Sequence, residues 1–416
     1  MIERKVVVIG GGSAGIAAAI AADQQGVDEI LLIERDHELG GILNQCIHCG
    51  FGIHRFKQEL TGPEYSKLVV KELLKTKVEV WSDTTVLQIT KDNIVNAINE
   101  RGSYLIAAGA IILAMGCRER TRGAIRLSGS RPAGVYAAGA AQRLINFNGF
   151  LPGKSVVIIG SGDIGLIMAR RMTLEGAKVE AVVEIMSYSN GLSRNVVQCV
   201  DDFGIPLMLK TTVTKIHGKN RVSGVSVAEL DDNMQPKKET EKFISCDTVL
   251  LSVGLIPENY LTRKAGVELD SKIGGPVVGE SRQTKSPGVF ACGNVLHVHD
   301  LVDFVSEEGE IAGLGAANYL KGKLAAGFTH EVKSEEGVRY VVPQLININN
   351  LENKVKIFLR VNKVFEKKGV AAYLGDRKVA FKKELKLFPS EMIGLELNKQ
   401  ALLDNPDCKI ITIKVE

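Results

Sequence analysis

The chain has 416 residues, 45% of them hydrophobic, which is enough for two or three domains with substantial cores. Its formal net charge is only +4 and its basic residues are scattered, so the charge pattern does not point to nucleic acid. Seven cysteines, an odd number spread along the chain, do not make an extracellular disulfide framework, and apolar runs such as Gly15 to Ala22 fall far short of a membrane span. Met1-Ile2-Glu3-Arg4-Lys5 leads straight into a strand with no secretory signal, so the expected location is cytoplasmic.

The first predicted strand, Val6-Val7-Val8-Ile9, feeds a G-x-G-x-x-G turn at Gly10, Gly12 and Gly15. A small-residue helix follows, then a second strand, Ile30-Leu31-Leu32-Ile33, which ends on Glu34. The first glycine permits the tight turn, the second lets backbone amides approach a pyrophosphate, and the third lets the helix pack closely on the sheet. The helix N-terminus then offers free N–H groups to the phosphates. A glycine pair at Gly40-Gly41 comes next, where a second approach of backbone to cofactor is expected. A helix is predicted near Gly62 to Lys75, and the alternation in Val78-Glu79-Val80-Trp81 and Thr85-Val86-Leu87-Gln88-Ile89 suits antiparallel strands. Ala110 to Gly116 reads as a fully buried strand ending in a turn.

Pro152-Gly153-Lys154 punctuates the chain, and the opening pattern then returns at identical spacing. Val156-Val157-Ile158-Ile159 leads into Gly160, Gly162 and Gly165, and a strand from Val179 to Val183 ends on Glu184. One such motif is weak, but two complete copies with flanking strand and acid predict two nucleotide sites in one polypeptide. A carboxylate at that strand end accepts hydrogen bonds from both ribose hydroxyls and repels a 2′-phosphate, so the second site is expected to prefer NAD(H) over NADP(H). Asp247 to Gly254 closes the second sheet, Gly288 to Asn294 closes the first, and a long small-residue helix runs from Leu301 to Leu320. Beyond Gly327 the segments Tyr340-Val341-Val342, Val355 to Val361 and Ile410 to Val415 alternate like strands. The expected fold class is α/β: two Rossmann-like dinucleotide-binding domains, the first (1–120 and 275–327) split by the second (121–274), plus a small C-terminal β-rich domain (328–416).

Cys46-Ile47-His48-Cys49 is the sharpest local feature. A redox pair, with the Cys46 thiol lowered beside His48, is one reading. A metal or iron–sulfur site would need two further ligands, and no second C-x-x-C exists; a third reading has both cysteines as buried packing residues. His48, His54, His297 and His299 stand as scaffold histidines or proton shuttles. His297 and His299 alternate toward one side, but two ligands make no metal site without a carboxylate or third histidine, and none is expected. Glu307, Glu308 and Glu310 are assigned to a solvated or capped helix turn.

At these motifs the chain resembles the two-dinucleotide-domain flavoproteins, the pyridine nucleotide-disulfide oxidoreductase family. The pieces that carry the likeness are Gly10 to Gly15, Glu34, Gly40-Gly41, Ala114-Met115-Gly116, Gly160 to Gly165, Val253 to Pro257 and Val289 to Asn294, in the family's order. The resemblance implies FAD in the split domain, cradled by Gly10, Gly12, Ser13, Ala14 and Gly15, with Glu34 and Arg35 at the adenosine ribose. It further implies FAD contacts at Gly41, Ile42, the Val86 backbone, Ala114, Met115, Gly116, Gly293 and Asn294. Val302 and Asp303 would open the helix facing the flavin pyrimidine edge, where its dipole stabilises negative charge by roughly 0.3–2 kcal/mol. The family usually has aspartate where this chain has Asn294. NAD(H) is implied at Gly160, Gly162, Asp163, Ile164, Gly165 and Glu184, with Gly254 against the nicotinamide.

Disulfide reductases of the family place a redox pair near Cys46, but with four residues between the cysteines rather than two, and single-cysteine NADH oxidases and peroxidases place one thiol there. A closer resemblance is to flavoprotein subunits of opine, sarcosine and glycerol-3-phosphate or 2-hydroxyacid dehydrogenase complexes, carried by Gly40 to His48 and Gly293 to Asp303. It implies hydride transfer between NADH and FAD and onward transfer to a partner flavoprotein or electron carrier, serving a small-molecule redox substrate. The alternative is a self-contained NADH oxidase or peroxidase, or a disulfide reductase, using Cys46 with Cys49 and His48. Oligomeric state stays open, a homo-oligomer included.

Overall fold

The computed structural model describes residues 1–416, and the chain divides into two compact units. The first is Met1–Asn44, Cys49–Cys117 and Pro257–Glu416; the second is Gln45–His48 and Arg118–Ile256.

In the first unit, the β-branched run becomes the central strand β1 (Ile2–Ile9), whose Val6, Val7 and Val8 are buried on both faces. Helix α1 (Ser13–Gln24) and strand β2 (Ile30–Ile33) follow, with β2 parallel to β1. On the other edge β1 runs parallel to β3 (Gly102–Leu113), whose far end is extended by the parallel strand β4 (Val289–Ala291). Thr85–Ile89 is antiparallel as expected, in a hairpin with Ile94–Asn99 beside β3. Glu79–Trp81 corrects the expectation: it pairs parallel to β2. The helix Gly62–Leu73, opened by a capping box between Thr61 and Glu64, carries the chain back across the sheet, and a strand–helix–strand crossover delivers a parallel strand.

Helix α2 (Val302–Leu320) lies against α1 through small residues. A Cβ on Gly309 would stand 2.2 Å from the carbonyl oxygen of Ala14, so only glycine allows that approach. The C-terminal strands form two sheets. Five strands run in the order Leu345–Ile346, His330–Ser334, Ile410–Val415, Phe365–Leu374, Arg377–Leu387; the other sheet places β5 (Lys354–Val361) between Val338–Val342 and Ile393–Asn398. Their shared core is built from Ile357, Leu359, Leu397, Ile411 and Ile413.

The second unit has its own parallel sheet, in the order Val135–Ala137, Thr248–Leu251, Ser155–Ile159, Lys178–Val183, Leu207–Met208. Helix Asp163–Leu174 follows the second glycine turn, and Thr211–Gly218, Val222–Glu229 and Lys242–Ile244 add an antiparallel sheet. The chain returns to the first unit at Pro257, ahead of residue 275. Buried Asn259 donates to the carbonyls of Gly274 and Val295, which ties that segment to the first unit. No helix is long and apolar enough to cross a membrane.

Candidate functional site

The first glycine turn leaves β1 at Gly10, where φ is +113° and a Cβ would meet the Ala114 carbonyl oxygen at 2.4 Å. Gly12 caps α1 without any side-chain hydrogen bond, and no acidic residue stands in the first helical turn that holds Ser13, Ala14 and Gly15. The helix therefore ends in amides that no side chain satisfies, the arrangement that receives an anion. A Cβ on Gly12 would meet nothing within 4 Å, so the turn opens onto free space. Buried Glu34 accepts from the Gly11 amide at 2.6 Å and the Asp36 amide at 2.9 Å, which points its carboxylate at the turn. Gly40 donates to the Gly11 carbonyl at 2.8 Å, and a Cβ on Gly41 would lie 3.3 Å from Gly12 Cα. A Cβ on Gly293 would lie 2.7 Å from that of Ala14. Gly10, Gly12, Ala14, Gly41, Ala114 and Gly293 thus come together around one helix N-terminus. Ile42 and Arg35 are exposed, and Val86, Met115, Gly116, Asn294 and Val302 are half-buried. Asp303 is buried and accepts from the Arg55 amide at 3.0 Å.

The second copy repeats this locally. Gly160 has φ +95°, and Gly162 caps its helix without a side-chain bond. Buried Glu184 accepts from the Ser161 amide at 2.9 Å, the Ser161 hydroxyl at 2.6 Å and the Met186 amide at 2.9 Å. Asp163 accepts from Leu192 N and Asn195 Nδ2, so its charge is spent on fixing the loop after the second strand. Gly165 is buried, Ile164 is half-buried and Gly254 is exposed. Sequence reading missed Ser161, whose hydroxyl orients the acid.

Of the readings open for the cysteine segment, the surroundings of Cys46 favour a buried packing residue. Cys46 is buried, its thiol meets Gln142 Oε1 at 3.8 Å, and burial pushes it up to about 12 rather than down beside His48. Its neighbour Gln45 donates to Gly139 O and to Gln142, while Asn146 donates back to Gln45 O. His48 is itself lowered by burial, so it supplies no positive charge at neutral pH to hold a thiolate. Cys49 is exposed.

A larger correction concerns the glutamates of α2. Glu310 is exposed and paired to Arg55, and Glu307 is paired to Lys356, but Glu308 is fully buried. Its Oε1 accepts from Arg282 Nε at 2.9 Å and faces His297 Nε2 at 3.2 Å; its Oε2 accepts from Gly293 N at 2.8 Å and faces His299 Nε2 at 2.9 Å. His297 and His299 therefore point inward to a carboxylate, not outward to substrate. Their atoms and those of Glu308 lie within 4.8 Å of one another, the carboxylate that sequence reading found missing. The signal was legible: Glu308 sits one turn before Ala312 and beside Gly309, on the small-residue face that the helix buries.

The family model for pyridine nucleotide-disulphide oxidoreductases matches residues 4–317, from β1 through nearly all of α2. The chain belongs to this family. The oxidoreductase is 27% identical over 346 residues to the glutamate synthase [NADPH] small chain of Escherichia coli, covering 76% of this chain and 69% of that one. It is 24% identical over 338 residues to an opine oxidase subunit of Agrobacterium tumefaciens, covering 76% and 66%. Among solved structures, the thioredoxin reductase of T. acidophilum superposes with a TM-score of 0.62 at 26% identity, over 76% of this chain and 99% of that one. The oxidoreductase is accordingly an FAD- and NAD(P)H-dependent enzyme. Its residues fit both cofactors: each unit holds an uncapped helix N-terminus behind a glycine turn and a buried carboxylate bonded into that turn.

Proposed function

We propose that this oxidoreductase transfers hydride between NAD(H) and FAD and exchanges electrons with a separate redox partner, as one component of a dehydrogenase assembly acting on a hydroxy acid or glycerol 3-phosphate. The observation that carries the reading is the pairing of two complete dinucleotide cradles with a Cys46 held as a buried, neutral thiol. A Cys46 thiol raised by burial is a poor carrier of electrons from the flavin, which favours a separate molecule as the redox partner of FAD. Two of its relatives are named as parts of assemblies, a glutamate synthase [NADPH] small chain and an opine oxidase subunit, which supports a partner.

Bound FAD and NAD(H) supply the hydride chemistry, and the chain supplies position and electrostatics. In this reading the amides of Gly12, Ser13 and Ala14 hold the FAD pyrophosphate, and Glu34 keeps acceptor positions for the ribose. Gly41 and Ile42 make a second approach of backbone beside the Gly12 turn, and the Val86 backbone meets adenine; Ala114, Met115 and Gly116 pass close to the cofactor, and Gly293 and Asn294 meet the ribityl chain and pyrophosphate. The amides of Val302 and Asp303 face the flavin pyrimidine edge. Asn294 Oδ1 accepts from the His299 amide at 3.0 Å and its Nδ2 donates to Cys117 Sγ at 3.6 Å, so the second Nδ2 hydrogen is what remains to donate where aspartate would accept. Gly160, Gly162, Asp163, Ile164, Gly165 and Glu184 hold NAD(H), with Gly254 beside the nicotinamide.

Glu184→Ala is expected to raise the KM for NADH about tenfold, the loss of a hydrogen bond to a charged group, while changing that for NADPH little or lowering it. Steady-state assays with a dye acceptor read both, and an unchanged NADH-to-NADPH ratio contradicts the role. Cys46→Ser is expected to leave the rate of flavin reduction by NADH within about twofold of wild type in stopped flow, since a thiol that is not ionised takes no part. Loss of turnover with oxygen or peroxide in that variant, with flavin reduction intact, favours the self-contained oxidase. Purification from native cells is expected to bring down a second flavoprotein or electron carrier; a chain fully active alone with a hydroxy acid and NAD argues against the assembly.

A further inference from the structure

The buried Glu308 cluster lies directly behind the Gly293–Asn294 turn. An ionised carboxylate has about four acceptor positions, and the four donors around Glu308 fill them. Both imidazoles meet it through Nε2, while the Nδ1 atom of each is buried without a partner. Each ring is therefore the neutral Nε2–H tautomer, because a proton on Nδ1 would be a buried donor with no acceptor. The cluster then carries one carboxylate and one guanidinium. A divalent cation among them would add two uncompensated charges to a fully buried volume, so the donor set fits a hydrogen-bonding hub and not a metal centre.

The hub reaches the turn at both residues. Glu308 binds the Gly293 amide directly, and His299, held by its side chain to Glu308, uses its own backbone N–H to fix Asn294 Oδ1. The C-terminal sheet supports the same segment from behind. Lys356, Phe358 and Arg360 alternate along β5 and share one face. Lys356 pairs with Glu307 of α2 at 2.8 Å; Phe358 lies 6.0 Å from the rings of both His297 and His299. Arg360 donates to the Val298 carbonyl at 3.1 Å and pairs with Asp300, on either side of His299.

We propose that Glu308 is the positioning residue that sets the Gly293–Asn294 turn against FAD, with β5 as its buttress, so that the C-terminal domain is a working part of the flavin site without touching the flavin. This rests on the reading of the first unit as the FAD domain.

The test uses wild type, Glu308→Gln, His299→Leu and His299→Gln, stripped of flavin and titrated with FAD at a temperature where circular dichroism shows each folded. Glutamine at 308 presents an amide that cannot accept from all four donors, so the FAD Kd is expected to rise about tenfold or more, and the visible flavin spectrum to change shape. His299→Leu is expected to move both readouts the same way, whereas His299→Gln, which keeps a side-chain donor for Glu308, stays within about threefold of wild type. If Glu308→Gln does not fold, the His299 pair decides. A hub that only holds the fold together lowers thermal midpoints while leaving Kd and spectrum unmoved in the folded variants, and that result overturns the proposal. So does a stoichiometric divalent ion in purified wild type that is lost from the His299→Leu variant. Wild type that takes up no FAD refutes the domain reading instead; wild type that binds FAD as tightly as every variant refutes the positioning role alone.

Discussion

Arg282→Leu is expected to cost about 3–5 kcal/mol of stability at neutral pH, the loss found when one partner of a buried ion pair is removed. Arg282 and Glu308 are 1% and 0% exposed, so water cannot replace the missing guanidinium. The carboxylate keeps the amide of Gly293 and the two imidazoles, but these are neutral donors and leave its charge unbalanced. The change is sized against a total stability of about 5–15 kcal/mol for a typical domain, so the variant stands close to unfolding. Because the chain has two units, the measurement is hydrogen exchange resolved to α2 and β4 rather than one global midpoint. Protection in α2 within about 1 kcal/mol of wild type would mean that the pair is not what neutralises Glu308.

Acid is expected to remove about 3 kcal/mol from the same region. Burial, partly opposed by Glu308, lowers His297 from its ordinary 6.5 to about 4, with His299 and Arg282 adding to the fall. The unfolded chain takes up a proton as pH drops through about 6.5, whereas the folded chain holds the ring neutral down to about 4. The contribution is therefore complete above about 6.5 and is lost progressively as pH falls toward 4, by about 1.4 kcal/mol for each tenfold rise in proton concentration. Glu308 acts in the same sense at still lower pH: burial raises it, but His297, His299 and Arg282 outweigh burial and hold it well below the usual carboxylate range. The check is protection of α2 against pH in wild type and in His297→Gln, which keeps a donor but does not titrate. The difference between the two is expected to shrink as pH falls from 6.5 to 4; a difference independent of pH contradicts the neutral, buried imidazole.

Much of the architecture was legible because the glycine turns and their acids are local features. Gly10 and Gly160 take positive φ, Gly12 and Gly162 leave open space in front of the turn, and Glu34 and Glu184 each bond back to the turn of their own strand–helix–strand unit, 23 residues earlier in the chain. Periodicity placed the strands but not their direction: Val78 to Trp81 alternates as an antiparallel strand would, and only the crossover through Gly62–Leu73 makes it parallel. The Cys46 environment was illegible for a related reason. Its thiol meets Gln142, on a helix remote in sequence, and a thiol's pKa follows its surroundings more than its neighbours in the chain. The Glu308 hub collects Arg282, Gly293, His297 and His299 from β4's flanks onto one helix, and charge in a helix normally signals solvent; here the alternation of small residues on the same face was the stronger signal.

The central claim is that one chain holds FAD in its first unit and reduces it with NADH held in its second. Anaerobic titration of the FAD-reconstituted protein with NADH and then NADPH, followed through the visible flavin band, tests it directly. The expected result is complete bleaching by one equivalent of NADH, a much weaker response to NADPH, and no additional electrons taken up by the cysteines. Protein that cannot be reconstituted with FAD, or a bound flavin that NADH leaves oxidised, would contradict it.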